Sequence, residues 1–385
     1  WCTVIAADKK SVPSSAYNQY LNQRRVIYLD VEQQRNIFTE WNKFQTYDII
    51  PFNHFGRKNL GYLYAMMNGA KYIYDTDDDN KVIEPFNKLG VPIFSETETN
   101  GQPNNVMPVK HMKNENRIKD ELTFNVFLLW SADAFIWPRG YDLALLTDSF
   151  KWHQSVRLDT VQTNTAGLKE RFIIQQWLSD IEPDFDALQR IIGKNIDFSD
   201  KEEFVMEYRY SVSEENKFAV LLPNQLYVPF NAQMTTWDYR AFLFLYLPIS
   251  VHGRVSDIWR SYFAQTVMHV LQLNGVANWN LLYCPVLVNQ YRNPHDYLAD
   301  FQSELPLYLQ THQLLIFLHR FAADYELRAD DGQRAADISN VNVGQILLDL
   351  YIELYEYNVL QMEDVKGIYA WIHDIVQHVG WMPIK

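Results

Sequence analysis

The chain has 385 residues, 48% hydrophobic and 15% aromatic, which is enough to bury a large core in one domain or two coupled ones. A formal net charge of -13 leaves no basic face for nucleic acid, and no apolar run approaches the about 20 residues of a membrane span. Two cysteines, Cys2 and Cys284, exclude a disulfide scaffold.

The chain opens on strand-like Trp1-Cys2-Thr3-Val4-Ile5-Ala6-Ala7, which reads as a trimmed domain with any targeting segment outside it. Val4 to Ala7 forms a strand ending at Asp8, and Val26 to Leu29 a second ending at Asp30. Asp48-Ile49-Ile50-Pro51-Phe52 reads as a third. Tyr62 to Met67 lies in an amphipathic helix stopped by Asn68-Gly69, and Lys71 to Tyr74 is the next strand. This rhythm predicts βαβ units and a largely parallel sheet, whose ligands sit beyond the carboxyl ends of the strands. Asp8, Asp30 and the Asp75–Asp79 cluster all fall at such ends.

Residues 95–120 are polar and read as a long loop, while Phe124–Trp130 and Phe218–Phe230 read as strand-like or buried. Leu305–Tyr325 and Val343–His378 are helical, with Ile346, Leu347, Leu350, Tyr351 and Leu354 on one face and polar Arg328–Asn340 between. The division expected is an α/β domain over 1–304 and a helical C-terminal subdomain over 305–385.

The densest chemistry is Tyr72-Ile73-Tyr74-Asp75-Thr76-Asp77-Asp78-Asp79-Asn80, a strand that ends in four carboxylates. Hard cations such as Mg²⁺ and Mn²⁺ take oxygen ligands of this kind, together with phosphate oxygens of a substrate. An isolated acidic turn is more often a solvated loop or a helix cap. Here a helix opening on Arg57, Lys58 and Asn59 and closing at Gly69 precedes the strand. A helix N-terminus favours phosphate, and basic side chains add charge-assisted hydrogen bonds.

This arrangement resembles the Arg-Asn-x-Gly helix, hydrophobic strand and DxD of nucleotide-sugar glycosyltransferases with the GT-A fold. More segments are similar to the STELLO family of Golgi glycosyltransferases. They are Trp137-Pro138-Arg139-Gly140-Tyr141, Gln175-Gln176-Trp177-Leu178, Glu182-Pro183-Asp184-Phe185-Asp186-Ala187, Val228-Pro229-Phe230-Asn231-Ala232-Gln233, His252-Gly253-Arg254-Val255-Ser256-Asp257-Ile258-Trp259-Arg260 and Arg292-Asn293-Pro294-His295. A more distant similarity runs to the reversibly glycosylated polypeptides, which are sugar-nucleotide mutases.

The resemblance implies a GT-A-like, Rossmann-like nucleotide-sugar-binding domain. It also implies a UDP-sugar donor (UDP-glucose first), Mn²⁺ or Mg²⁺, and a carbohydrate or glycoconjugate acceptor. The implied location is the Golgi lumen, as the lumenal part of a type II membrane protein whose anchor lies outside this chain; a homodimer is compatible with it. Aligned on the triple Asp, Asp79 and Asp77 are candidates for metal and ribose, with Asp75 and Asp78 in support. Asp8 is placed to contact the uridine or to cap the next turn. Asp257 is the candidate base or acceptor-binding carboxylate, or else a helix N-cap. Arg254 pairs with diphosphate or with Asp257, and His252 and His295 are candidate metal ligands. Asp184 and Asp186 bind substrate or close a turn, and Trp137, Trp177 and Trp259 form a sugar platform or fill the core. The rival functions are a mutase and a scaffold that acts through protein partners.

Overall fold

The computed structural model describes residues 2–17, 26–41, 43–83, 106–111, 122–123, 125–130, 136–146, 156–158, 172–192, 218–290, 297–325 and 341–380. In chain order the strands are β1 (Thr3–Ala6), β2 (Val26–Leu29), β3 (Tyr72–Thr76), β4 (Asn80–Val82), β5 (Val106–His111), β6 (Val156–Leu158), β7 (Phe172–Asp180), β8 (Ala219–Leu221), β9 (Met234–Asp238) and β10 (Asn280–Gln290). The α-helices are α1 (Val31–Arg35), α2 (Gln45–Ile49), α3 (Lys58–Met67), α4 (Ala187–Ile192), α5 (Gly253–Leu273), α6 (Tyr297–Asp324), α7 (Val343–Glu356) and α8 (Met362–Asp374).

The main sheet runs β3-β9-β7-β10-β8-β5-β6, and β4 pairs with the end of β10. Its centre is β7 and β10, which are almost wholly buried, as strands covered on both faces must be. The expected largely parallel sheet is corrected. β7 with β10 and β5 with β8 are parallel, whereas β9 returns antiparallel between β3 and β7. β1 and β2 are parallel to each other, in a separate two-stranded sheet.

The helix α3 ends where Gly69 turns to φ 77°, a conformation that costs glycine nothing. It packs on β1 through Gly61, where an added Cβ would lie 3.4 Å from Ala6 Cβ. Every residue of α5 from Val255 to Leu271 is buried, so this helix belongs to the interior rather than to an amphipathic surface.

The C-terminal helices share that interior. Tyr351 packs edge-on against Phe263 and Tyr246, and Trp371 lies beside Tyr246. Two buried carboxylates of α8 grip distant backbone. Asp364 accepts from Ile249 N at 2.6 Å and Ser250 N at 3.1 Å, and Asp374 accepts from Gln45 N at 3.0 Å and Thr46 N at 2.7 Å. The second grip satisfies the first amides of α2, so residues 48–49 are helical where a strand was expected. Phe124–Trp130 was expected as a strand or buried run; within it Val126–Leu129 is a 3₁₀ turn, and Val126 and Phe127 are buried. Val106–His111 forms a strand inside the expected loop. Arg328–Asn340 lies outside the described residues. Among the described residues no helix is long and apolar enough to cross a membrane.

Candidate functional site

Two clusters flank the start of α3, where consecutive residues Arg57 and Lys58 point to different neighbours. Lys58 turns to the carboxyl end of β3. Its Nζ lies 3.0 Å from Asp75 Oδ1, 2.6 Å from Asp77 Oδ1 and 2.8 Å from the carbonyl of Ala232. Those three bonds use all three donors of an ammonium group. Burial would lower the Lys58 pKa, but Asp75 and Asp77 outweigh it and hold it well above the ordinary lysine value. Asp75 is buried and also accepts from Tyr62 Oη at 2.5 Å and Arg260 Nη2 at 3.3 Å. Burial raises the Asp77 carboxyl against the pull of Lys58. Asp78 is exposed on the turn.

Asp79 differs from its neighbours. Its Oδ2 accepts from Gln290 Nε2 at 3.2 Å, while its Oδ1 is buried and has no hydrogen-bond donor. A buried carboxylate oxygen without a donor fits a hard cation as its partner. Among the described residues no three His, Cys, Asp or Glu side chains converge as a ready ligand set. His295 and the rest of Arg292–His295 lie outside the described residues.

Arg57 turns instead toward the end of β1 and is buried. Its guanidinium lies 4.5 Å from the centre of the Phe52 ring, and it donates to Ile50 O at 3.4 Å and to Gln34 Oε1. Gln34 in turn donates to Ala7 O at 2.6 Å and Leu29 O at 2.7 Å, which locks the ends of β1 and β2 together. Asp8 accepts from Lys9 N at 2.7 Å and from His54 N at 3.2 Å. His54 caps the turn leading into α3 by accepting from Gly56 N at 2.9 Å, and burial, followed by nearby His252, lowers its pKa. Asn59, expected at the phosphate, is fully buried and makes two bonds with the Leu247 backbone, at 3.1 and 2.9 Å. That geometry removes it from any ligand.

Four of the sequence segments meet in one buried network. Arg139 holds Asp184 through Nε at 3.0 Å and Nη2 at 3.0 Å, and holds Asp257 through Nη1 at 3.0 Å and Nη2 at 2.8 Å. Its remaining donor goes to the carbonyl of Arg254, so all five N–H groups are used. Asn231 Nδ2 adds a bond of 2.9 Å to Asp184. Burial alone would raise Asp184, but Arg139 and then Arg254 bring its carboxyl far below the usual range.

This network changes what Asp257 can do. Its carboxylate accepts from Arg139 twice, from Ile258 N at 2.9 Å and from Ala232 N at 3.1 Å. All of its acceptor positions are occupied, and none is directed at an acceptor hydroxyl. Nor is it the helix cap: His252 caps α5, accepting from Arg254 N at 3.2 Å. Arg254 pairs with Glu304, at 2.7 Å from Nε, rather than with Asp257 or an open phosphate site. Asp186 accepts from Gln189 N at 2.8 Å and Trp137 Nε1 at 2.7 Å, and burial pushes it up to about 6. Trp137, Trp177 and Trp259 are all buried, so they fill the core rather than offer a sugar platform. A cavity of about 20 Å³ lies against Arg139, Asp184 and Asn231, room for a water and not for a sugar ring.

The two halves meet at the residue Ala232. Ala232 donates its N–H to Asp257 and gives its carbonyl to Lys58, so the buried network and the acidic cluster share the segment before β9. Its neighbour Gln233, which sequence reasoning left without a role, is also buried with an unpartnered Oε1. Its signals in the sequence are its place at the end of the Val228–Gln233 segment and its polarity just before a buried strand.

The profile of the STELLO glycosyltransferases matches residues 254–381. Two proteins of Arabidopsis thaliana are similar over most of the chain. The probable glycosyltransferase STELLO2 is 26% identical over 367 residues, 94% of this chain and 40% of its own length. The probable glycosyltransferase STELLO1 is 25% identical over 350 residues, 91% of this chain and 38% of its own. The chain thus spans about two fifths of the length of these relatives.

Proposed function

We propose that this chain is a member of the STELLO glycosyltransferase family and transfers a hexosyl unit from a UDP-sugar to a carbohydrate or glycoconjugate acceptor. Glucose is the first choice of sugar, Mn²⁺ or Mg²⁺ the cofactor, and the Golgi lumen the place of work. The single observation that carries the reading is the donor-free, buried Oδ1 of Asp79 in the turn between β3 and β4, two residues after Asp77, which Lys58 of α3 holds. A divalent cation bound there would offset diphosphate charge and ease departure of UDP.

The chain's own residues do the remaining work. Asp79 offers the cation its free lone pairs. Lys58 pins Asp75 and Asp77, which keeps the end of β3 in one geometry. Asp8, with Arg57 behind it, presents polar groups to a base and ribose at the end of β1. Arg139 and Asp257 are positioning residues that hold the 229–233 segment against the cluster. Calorimetry with UDP in the presence and absence of Mn²⁺ tests the reading. Metal-dependent nucleotide binding that Asp79→Asn removes is the expected result, and nucleotide binding indifferent to metal overturns it.

A further inference from the structure

The acidic cluster divides into a part that is already neutralised and a part that is not. Lys58 spends every donor on Asp75, Asp77 and Ala232, and Asp75 is further held by Tyr62 and Arg260. A cation that took Asp75 or Asp77 as ligand would have to displace this internal ammonium.

The unneutralised part lies one turn further on. Asp79 Oδ1, Asn80 Oδ1 and Gln233 Oε1 are all buried side-chain oxygens with no donor. They share one corner of the sheet. Asn80 follows Asp79 and reaches the Gln233 carbonyl at 3.5 Å, and Gln290 donates to Asp79 while pairing with Asn80 in the β4–β10 ladder. Gln233 directly precedes Met234, which pairs with Thr76 as the last step of the β3–β9 ladder, so it leads into the same corner. Gln233 is just 8% exposed. A buried acceptor left without a donor is costly to the folded state. Three in one corner are a set of hard oxygens of the kind a divalent cation takes.

We propose that the cation of this site is held by Asp79, Asn80 and Gln233, and that Lys58 keeps Asp75 and Asp77 out of the ligand set. The proposal rests on the metal-dependent reading given above and specifies its ligands. One carboxylate and two amide oxygens bind weakly alone, and phosphate oxygens complete the shell. Cation and nucleotide therefore bind together, each raising the other's affinity by the same factor.

The test is Mn²⁺ binding by the whole chain, followed by electron paramagnetic resonance of free Mn²⁺, with and without UDP, with circular dichroism as the check on folding. Gln233→Leu weakens Mn²⁺ binding in the presence of UDP tenfold or more, and Asp77→Asn changes it less than threefold. Gln233→Glu keeps the oxygen and adds a charge, so it tightens Mn²⁺ binding without nucleotide, which a merely structural glutamine would not do. If Gln233→Leu and Gln233→Glu leave the affinity unmoved while Asp77→Asn abolishes it, this ligand set is overturned and the metal-dependent reading stands. If the unaltered protein binds no Mn²⁺ with UDP, both fall.

Discussion

Replacing Arg139 by Met tests whether the shared motifs build a frame rather than a reacting group. The guanidinium is 2% exposed and holds two carboxylates that are themselves almost fully buried. Removing one partner of a buried ion pair costs about 3–5 kcal/mol, because a charge stays behind without compensation. Two carboxylates share this arginine, so the upper end of that range applies, a large part of the about 5–15 kcal/mol that holds a typical domain. The loss also acquires a pH dependence. In the unaltered protein Asp184 is held far below its unfolded value, so its contribution is complete above that value and fades as pH falls through the lower one. Without Arg139 burial dominates and the folded pKa moves above the unfolded one. The remaining site is then best tolerated when protonated, and the variant's deficit shrinks as pH falls from about 7.5 to 5. Urea unfolding across that range measures it, with Arg139→Lys recovering part of the loss. A deficit below about 1 kcal/mol, or one that stays constant with pH, refutes the argument.

Gly140→Ala destabilises the same region. Gly140 has φ +84°, and an added Cβ would collide with Ile258 on α5, for a loss of about 2–4 kcal/mol in chemical denaturation. Asp186, pushed up to about 6, favours the folded state fully below its unfolded pKa and ceases to as pH rises through about 6. Asp186→Asn accordingly flattens the stability profile between about pH 4 and 6 relative to the unaltered protein, as thermal unfolding at a series of pH values shows.

Legibility in the sequence followed the range of the interactions. The helix over Lys58–Met67 and the strand over Tyr72–Thr76 are coded by neighbouring residues, including the left-handed Gly69, and both were readable. Partners of the long polar side chains were not. Lys58 could reach phosphate or carboxylate with equal ease, and the folded chain decides for Asp75 and Asp77. Asn59 looked like part of a phosphate-binding helix start, yet its partner is Leu247, far along the chain. Asp257 reads as a base or acceptor-binding carboxylate at a helix start, or else as its N-cap, whereas the helix begins earlier and a histidine fills the cap. The segment Asp48-Ile49-Ile50 has β-branched residues and a following proline, local marks of a strand. A cap supplied from residue 374 overrides them.

That last contact also bears on how the chain acquires its shape. Asp374 lies 328 residues beyond Thr46, and Asp364 is 115 beyond Ile249. During synthesis α2 emerges long before the carboxylate that satisfies its first amides. The front of the molecule therefore waits for α8, and closure of so long a loop favours slow folding with exposed early intermediates. A chain cut before α8 would carry both the acidic cluster and the Arg139 network, yet lack the clasp that holds the front of the molecule to the inner helix.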